Sequence, residues 1–218
     1  MKIRFIINPI SGTGKQKGIE KHITKYLKDF EIIHTKKTGD ATRISRKAAN
    51  ENIDAVIAVG GDGTVNECLI GLVNTNTALG VIPCGSGNGF AYHIGMDRNI
   101  EKAVKQLNNT RTDIIDSCEA NGVPFVNVSG IGFDSHIANL FLNLKERGFF
   151  SYAKLVLREL SYNAKEYTIF FNKNERKVKA YLINFANASQ YGNNAKISPM
   201  ADLKDGLIDF VIIKDFPK

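Results

Sequence analysis

Four short runs of this chain, IRFIIN (3 to 8), FEIIHT (30 to 35), DAVIAVG (54 to 60) and ALGVIP (78 to 83), are apolar with little alternation. A strand with one wet face alternates apolar and polar residues, whereas a continuous apolar run suits a strand covered on both faces. Between and after these runs, residues 15 to 28, 41 to 52, 64 to 74 and 99 to 108 read as helices, the first by its stripe of Ile19, Ile23 and Leu27. Strand and helix in alternation predict a parallel sheet with right-handed crossovers. Any active site is then expected beyond the carboxyl ends of the strands.

The pattern changes near residue 113. TDIIDSCEANGVPFVNVSGIGF reads as a hairpin turning at EANGVP, and KEYTIFF, RKVKAYLINFAN and GLIDFVIIK read as further strands, the first two joined by a turn at NKNE. The expected fold is therefore an α/β N-terminal domain with a parallel, Rossmann-like sheet over residues 1 to 115, docked closely on a mainly antiparallel β domain over 116 to 218.

Composition narrows the partners. With 43% hydrophobic and 23% charged residues, the chain is neither disordered nor fibrous, and no apolar run is long enough to span a bilayer. The opening MKIRFIINP is cut short by Asn8 and Pro9 and does not read as a secretory signal, so a cytoplasmic location is expected. Cys68, Cys84 and Cys118 form no CxxC pair and read as buried, reduced thiols. The 29 Lys and Arg against 22 Asp and Glu give a formal charge of +7, which favours an anionic partner. No aromatic RNA-binding signature accompanies the charge, so nucleic acid is not expected.

Glycine-rich segments follow three of the four strands: NPISGTGK after the first, GGDGTVNE after the third and PCGSGNGFA after the fourth. All three are expected on one sheet edge, where bare backbone amides and helix N-termini can cradle phosphate. Thr64 and Glu67 have the spacing of a capping box, which would start the third helix. Asp62 stands where phosphate is expected. A carboxylate there can bind a metal, position metal-bound water or accept a proton from an attacking hydroxyl, and it can also simply cap a neighbouring turn. ISGTGKQ is no P-loop, because Gln16 replaces the Ser or Thr, and GSGNGF lacks the third glycine of a dinucleotide fingerprint.

Taken in order, NPISG, TKKTGDA, GGDGTVNE, PCGSGNGFA, GIGFD and DLKDGLIDF resemble the diacylglycerol kinase catalytic family, which includes bacterial lipid kinases and sphingosine kinases. The resemblance implies an ATP-dependent lipid kinase. It implies ATP contacts at Asn8, Ser11 and Thr35, along Gly60, Gly61, Asp62, Gly63, Thr64, Val65, Asn66 and Glu67, and at Gly85, Ser86, Gly87 and Asn88. It implies catalytic or magnesium-organising roles for Asp62 and Asp134. A structural Mg²⁺ is implied at the Asp205 side chain with the carbonyls of Asp202 and Leu207, oxygen donors that suit this ion.

The same resemblance implies peripheral association with a membrane and a lipid acceptor, with a homodimer among the possible assemblies. FLNLKERGFFSYAKLVLREL (141 to 160) interleaves Phe141, Leu142, Phe149, Phe150 and Tyr152 with Lys145, Arg147 and Lys154, a composition that suits a basic, apolar-edged mouth, although helical spacing also suits core packing. His93 and His136 follow glycine-rich motifs and are expected to be hydrogen-bonded. Gly89 stands where many bacterial members carry Asp, which resembles the sphingosine kinase version. The family continues past the DGLID strand to a late acidic DGE motif, so the second domain is expected to be incomplete. The alternatives are a sphingoid-base kinase, an NAD kinase, which NPISG and DLKDGL argue against, and a non-catalytic nucleotide-binding module.

Overall fold

Strand β1 (Ile3–Ile7) is buried along its whole length. Even Arg4 is buried, because its guanidinium Nε donates to Glu31 at 2.6 Å and its terminal nitrogen donates to Glu51. Helix α1 (Ile19–Tyr26), strand β2 (Phe30–His34), helix α2 (Asp40–Asn50), strand β3 (Ala55–Gly60), helix α3 (Asp62–Leu72) and strand β4 (Ala78–Pro83) follow. The computed structural model describes every residue except Thr13, Lys15, Thr110, Lys145, Glu146, Arg147, Pro217 and Lys218. The sheet is parallel in the order β2-β1-β3-β4, with Ile7 level with His34 and Val59, and Gly60 level with Pro83. That register brings the ends of β1, β3 and β4 to one edge.

Alternate residues of the strands feed two cores, as covered strands require. Ile6, Val56 and Ala58 pack with Ile44 of α2 and Leu69 of α3. Phe5, Ile57 and Val59 pack with Ile19 and Ile23 of α1. Helix α1 begins at Ile19 rather than at 15, because Gly18 holds a left-handed φ of 79° and the preceding residues turn. Two short helices, α4 (Gly89–His93) and α5 (Ile100–Gln106), complete this half. Asn99 caps α5 by accepting from the Lys102 amide.

The second half is antiparallel, as the sequence predicts. Strands β5 (Cys118–Ala120) and β6 (Val123–Phe125) form the hairpin, and its turn residues Asn121 and Gly122 both have positive φ, which matches the right-handed twist of the strands. After β7 (Val128–Gly132) come α6 (Phe133–Leu142), α7 (Phe149–Arg158), β8 (Lys165–Phe171), the long β9 (Asn174–Ala186) and β10 (Asp209–Lys214). The C-terminal half of β9 lies between β7 and β10, and its N-terminal half pairs with β8. Phe141, Leu144, Tyr152 and Val156 pack inward, Phe141 and Tyr152 meeting edge to face at 5.4 Å, and Leu155 is buried with Phe133 and Ile137. Phe150, Leu157 and Leu160 are exposed, Lys145 and Arg147 lie outside the described residues, and so do the side chains of Leu142 and Phe149.

The cysteines form no disulfide among the described residues. Cys68 and Cys84 are buried and Cys118 is half-buried, its thiol donating to Asn187 at 3.4 Å. Burial pushes the Cys68 thiol up to about 12, which keeps it protonated and inert.

Candidate active site

The three glycine loops meet. A Cβ on Gly85 would stand 2.3 Å from the Cα of Gly61, and a Cβ on Gly12 would stand 2.2 Å from the Cys84 carbonyl oxygen. Only glycine allows backbones this close. The loop after β1 is further held by Gln16, a buried side chain whose amide donates to the carbonyls of Asn8 at 2.9 Å and Pro9 at 2.6 Å. The residue that disqualified a P-loop therefore closes this loop on itself.

Beside the junction lies a cleft of about 90 Å³ lined by Asn8, Thr35, Thr64 and Glu67, together with Lys36 and Lys37. Asn8 donates to the Thr64 hydroxyl at 3.1 Å, tying β1 to the start of α3, and the Thr35 amide donates to the Ile7 carbonyl at 2.9 Å. Ser11 lies nearby, its hydroxyl 3.5 Å from where a Cβ on Gly61 would stand. Lys36 and Lys37 were not singled out in the sequence, although their place between Thr35 and Gly39 is the signal that could have found them.

The capping box does not form. Helix α3 starts at Asp62, two residues earlier than expected, so Thr64 lies inside the first turn. Glu67 instead accepts from the amides of Gly39 at 3.0 Å and Ala41 at 3.2 Å, bracing the start of α2. Its carboxylate is better placed against the positive end of that helix than folded back on its own.

Asp62 is partly buried at the first position of α3. Its Oδ2 accepts from the Asn88 amide at 2.8 Å, its Oδ1 from the Phe90 amide at 3.2 Å, and the Asn127 side chain approaches Oδ1 at 3.5 Å. Amides of the third loop that could have faced phosphate are thus taken by the aspartate of the second. Burial pushes the Asp62 carboxyl above its ordinary value, and the amide donors oppose that shift. Within the third loop, Asn88 Oδ1 accepts from the Gly85 amide at 2.7 Å and Ser86 accepts from the Gly148 amide at 3.2 Å. Gly60, Gly63, Val65 and Asn66 complete the second loop and the first turn of α3, with Gly63 open to solvent.

Asp134, near the start of α6, is brought to the same wall by the segment after β9. The Tyr191 hydroxyl donates to Asp134 Oδ2 at 2.8 Å, and the Tyr191 carbonyl lies 2.8 Å from where a Cβ on Gly87 would stand, itself 3.3 Å from Asp62. Asn184, fully buried, donates to the same hydroxyl. Asn193 fastens the segment to the third loop through the Ser86 carbonyl at 2.7 Å. Among the described residues Oδ1 of Asp134, which is buried, has no hydrogen-bond partner, and burial pushes the carboxyl above its ordinary value. Asn127, Asn184, Tyr191 and Asn193 carry no local motif and were missed in the sequence.

Asp202, Asp205 and Leu207 are exposed on the turn before β10, on either side of the buried Leu203 and beyond it. Asp202 accepts from the Lys204 amide at 3.0 Å, Asp205 from the Leu207 amide at 2.9 Å, and Asp116 from the Gly206 amide at 2.8 Å. Among the described residues no three or more His, Cys, Asp or Glu side chains gather as a metal cluster. His93 meets the Ser189 amide and hydroxyl, and His136 meets Glu159 at 3.0 Å, both hydrogen-bonded as expected.

Comparison with known proteins agrees with this fold. Residues 2–120 match the sequence model described as the diacylglycerol kinase catalytic domain, and residues 127–218 match the one described as the YegS C-terminal NAD kinase beta sandwich-like domain. The chain is 30% identical to a protein named diacylglycerol kinase from Bacillus subtilis, over 98% of this chain and 74% of that one. It is 32% identical to "Probable lipid kinase YegS-like" from Chromohalobacter salexigens, over 82% of this chain. The chain spans 60% of the length of that relative. A crystal structure titled as a diacylglycerol kinase from Bacillus anthracis superposes with a TM-score of 0.74 at 27% identity, over 98% of this chain and 72% of that one. The chain belongs to the diacylglycerol kinase catalytic-domain family.

Proposed function

We propose that this chain transfers the γ-phosphate of ATP to the hydroxyl of a lipid, diacylglycerol or a close relative, with residues 1–115 holding the nucleotide and 116–218 the acceptor. The observation that carries the reading is the junction of the three glycine loops with Asp62 at its centre and Asp134 on the adjoining wall. In this reading the cleft of Asn8, Thr35 and Thr64 takes part of the nucleotide, the rest lying outside it, and Lys36 and Lys37 offset its negative charge. Asp62 orients the acceptor hydroxyl and receives its proton, a role that a carboxylate with a raised pKa suits better than an ordinary one.

Magnesium, when bound, would neutralise charge on the transferred phosphate. Oδ1 of Asp134, without a hydrogen-bond partner among the described residues, fits a hydrated cation, and Asp134 is the residue that would hold it or its water. Asp205 with the carbonyls of Asp202 and Leu207 offers a second, oxygen-only donor set on the exposed turn. Peripheral membrane contact follows from a lipid acceptor, and among the described residues no helix is long and apolar enough to cross a membrane.

The test is transfer of labelled phosphate from ATP and Mg²⁺ to diacylglycerol, sphingosine, phosphatidylglycerol and NAD. Label on a lipid supports the reading and identifies the acceptor. The NAD kinase-like description of the C-terminal match gives NAD its place in the panel. Faster label on NAD overturns the lipid assignment, and ATP bound without turnover makes the chain a regulatory nucleotide-binding module.

A further inference from the structure

The hairpin of β8 and β9 extends beyond the sheet that carries it. Strands β7 and β10 pair with β9 only from Ala180 onward, so residues 165 to 179 form a two-stranded arm, and among the described residues the outer edge of β8 has no strand beside it. A two-stranded ribbon alone in water is marginal at best. At its end, Phe170 is 75% exposed and Phe171 is 70% exposed. Consecutive residues of a strand point to opposite faces, so the tip is aromatic on both sides.

The charges around it are mostly positive. From 165 to 179 the arm carries Lys165, Lys173, Arg176, Lys177 and Lys179 against Glu166 and Glu175. Lys179 is paired with Asp215 at 2.8 Å, and Lys165 lies over the Tyr162 ring. Lys173 lies in the turn and Arg176 and Lys177 follow it on opposite faces of β9, with Glu175 opposite Phe170. A flat protein partner would cover one face of such an arm and leave the other Phe in water. A fluid that surrounds the tip covers both, and one with a negative surface also meets the three cations.

We infer that the β8–β9 tip inserts edge-on into the headgroup region of an anionic lipid surface, Phe170 and Phe171 entering the acyl boundary while Lys173, Arg176 and Lys177 meet lipid phosphates. This deepens the lipid-kinase reading and rests on it only for its purpose, since the arm would bring the active site to a membrane-borne acceptor.

The chain contains no tryptophan, so Phe171→Trp in the full chain makes a single emission reporter at the tip. With vesicles of phosphatidylcholine and phosphatidylglycerol, its emission moves to the blue and is quenched by brominated acyl chains; with phosphatidylcholine alone the change is much smaller. Changing Phe170 and Phe171 together to Ser weakens vesicle partition by roughly tenfold or more. Each of Lys173, Arg176 and Lys177 changed to Gln weakens it by roughly fivefold.

No shift at Phe171→Trp with either vesicle overturns the inference. So does insertion reported instead by Phe210→Trp, placed in the separate exposed pair of Phe185 and Phe210. A dimer in ultracentrifugation that the Ser pair dissolves also overturns it, assigning the arm to a second copy. Phosphate transfer to lipid in detergent micelles separates the two readings. Transfer without vesicle insertion sinks the arm alone, whereas insertion without transfer to any lipid sinks the kinase alone.

Discussion

Tyr191 donates its hydroxyl to Asp134 at 2.8 Å across 57 positions of sequence, and the same hydroxyl accepts from the buried amide of Asn184. One phenol thus satisfies a carboxylate oxygen and a side-chain amide that have little access to water. Tyr191→Phe keeps the ring and removes the link. Leaving two buried polar groups unpaired costs roughly 1 to 3 kcal/mol at neutral pH, measurable by urea denaturation.

The pH dependence of that cost has a definite sign. Burial raises the folded Asp134 pKa above its unfolded value, so stability from this group is fully present below the unfolded pKa and is lost as pH rises through the folded one. The Tyr191 hydrogen bond favours the ionised form. Its removal therefore raises the pKa further, and the difference between wild type and Tyr191→Phe shrinks in acid. If ionised Asp134 is needed for transfer, the acid limb of the kcat profile moves to higher pH in the variant, and an unmoved limb would remove Asp134 from the chemistry.

Asp62→Asn tests two roles at once. The new amide nitrogen would face a backbone donor, either Asn88 or Phe90, where a carboxylate oxygen accepted before. A stability loss of about 2 kcal/mol is expected from the lost charge-assisted bond. Phosphate transfer should fall by a factor on the order of 10² to 10⁴, the usual contribution of a general base. Activity that falls only in proportion to the folded fraction, followed by thermal melts, would leave Asp62 as a loop clamp.

Two glycines separate packing from ligand contact. Gly85→Ala drives a methyl into Gly61 and is expected to cost more than about 3 kcal/mol or to prevent folding, as overpacked backbone does. Gly63→Ala meets nothing within 4 Å and lies in the first turn of α3, so stability should hold or rise by about 0.5 to 1 kcal/mol. ATP affinity, read by calorimetry, should still fall in Gly63→Ala if the nucleotide approaches that backbone. Unchanged affinity would move the phosphates elsewhere.

Glu51→Gln removes one arm of the clamp on buried Arg4 at the opposite end of the sheet. The Arg4 guanidinium holds the Glu51 carboxyl below its ordinary value, so the stability it brings is present above the unfolded pKa and is lost as pH falls through the folded one. The variant should therefore melt below wild type at neutral pH and converge with it in acid. A gap that persists at low pH would show that packing, not charge, is what the pair supplies.

The parallel sheet, the bundling of three glycine loops at one edge and the hairpin turns at EANGVP and NKNE were legible in the chain, because covered strands, helical stripes and turn residues are written in near neighbours. The capping box at Thr64 and Glu67 was legible and misleading: helix α3 begins earlier, and Glu67 is drawn to the start of α2. Asp62 could be singled out in sequence, but not that it takes the amides of Asn88 and Phe90. Nor could Tyr191 be recognised as the partner of Asp134. Local patterns arise from the chain's own geometry over a few residues, whereas these contacts join segments distant in sequence. Only packing the antiparallel sheet and the segment after β9 against the glycine loops brought them within hydrogen-bond reach.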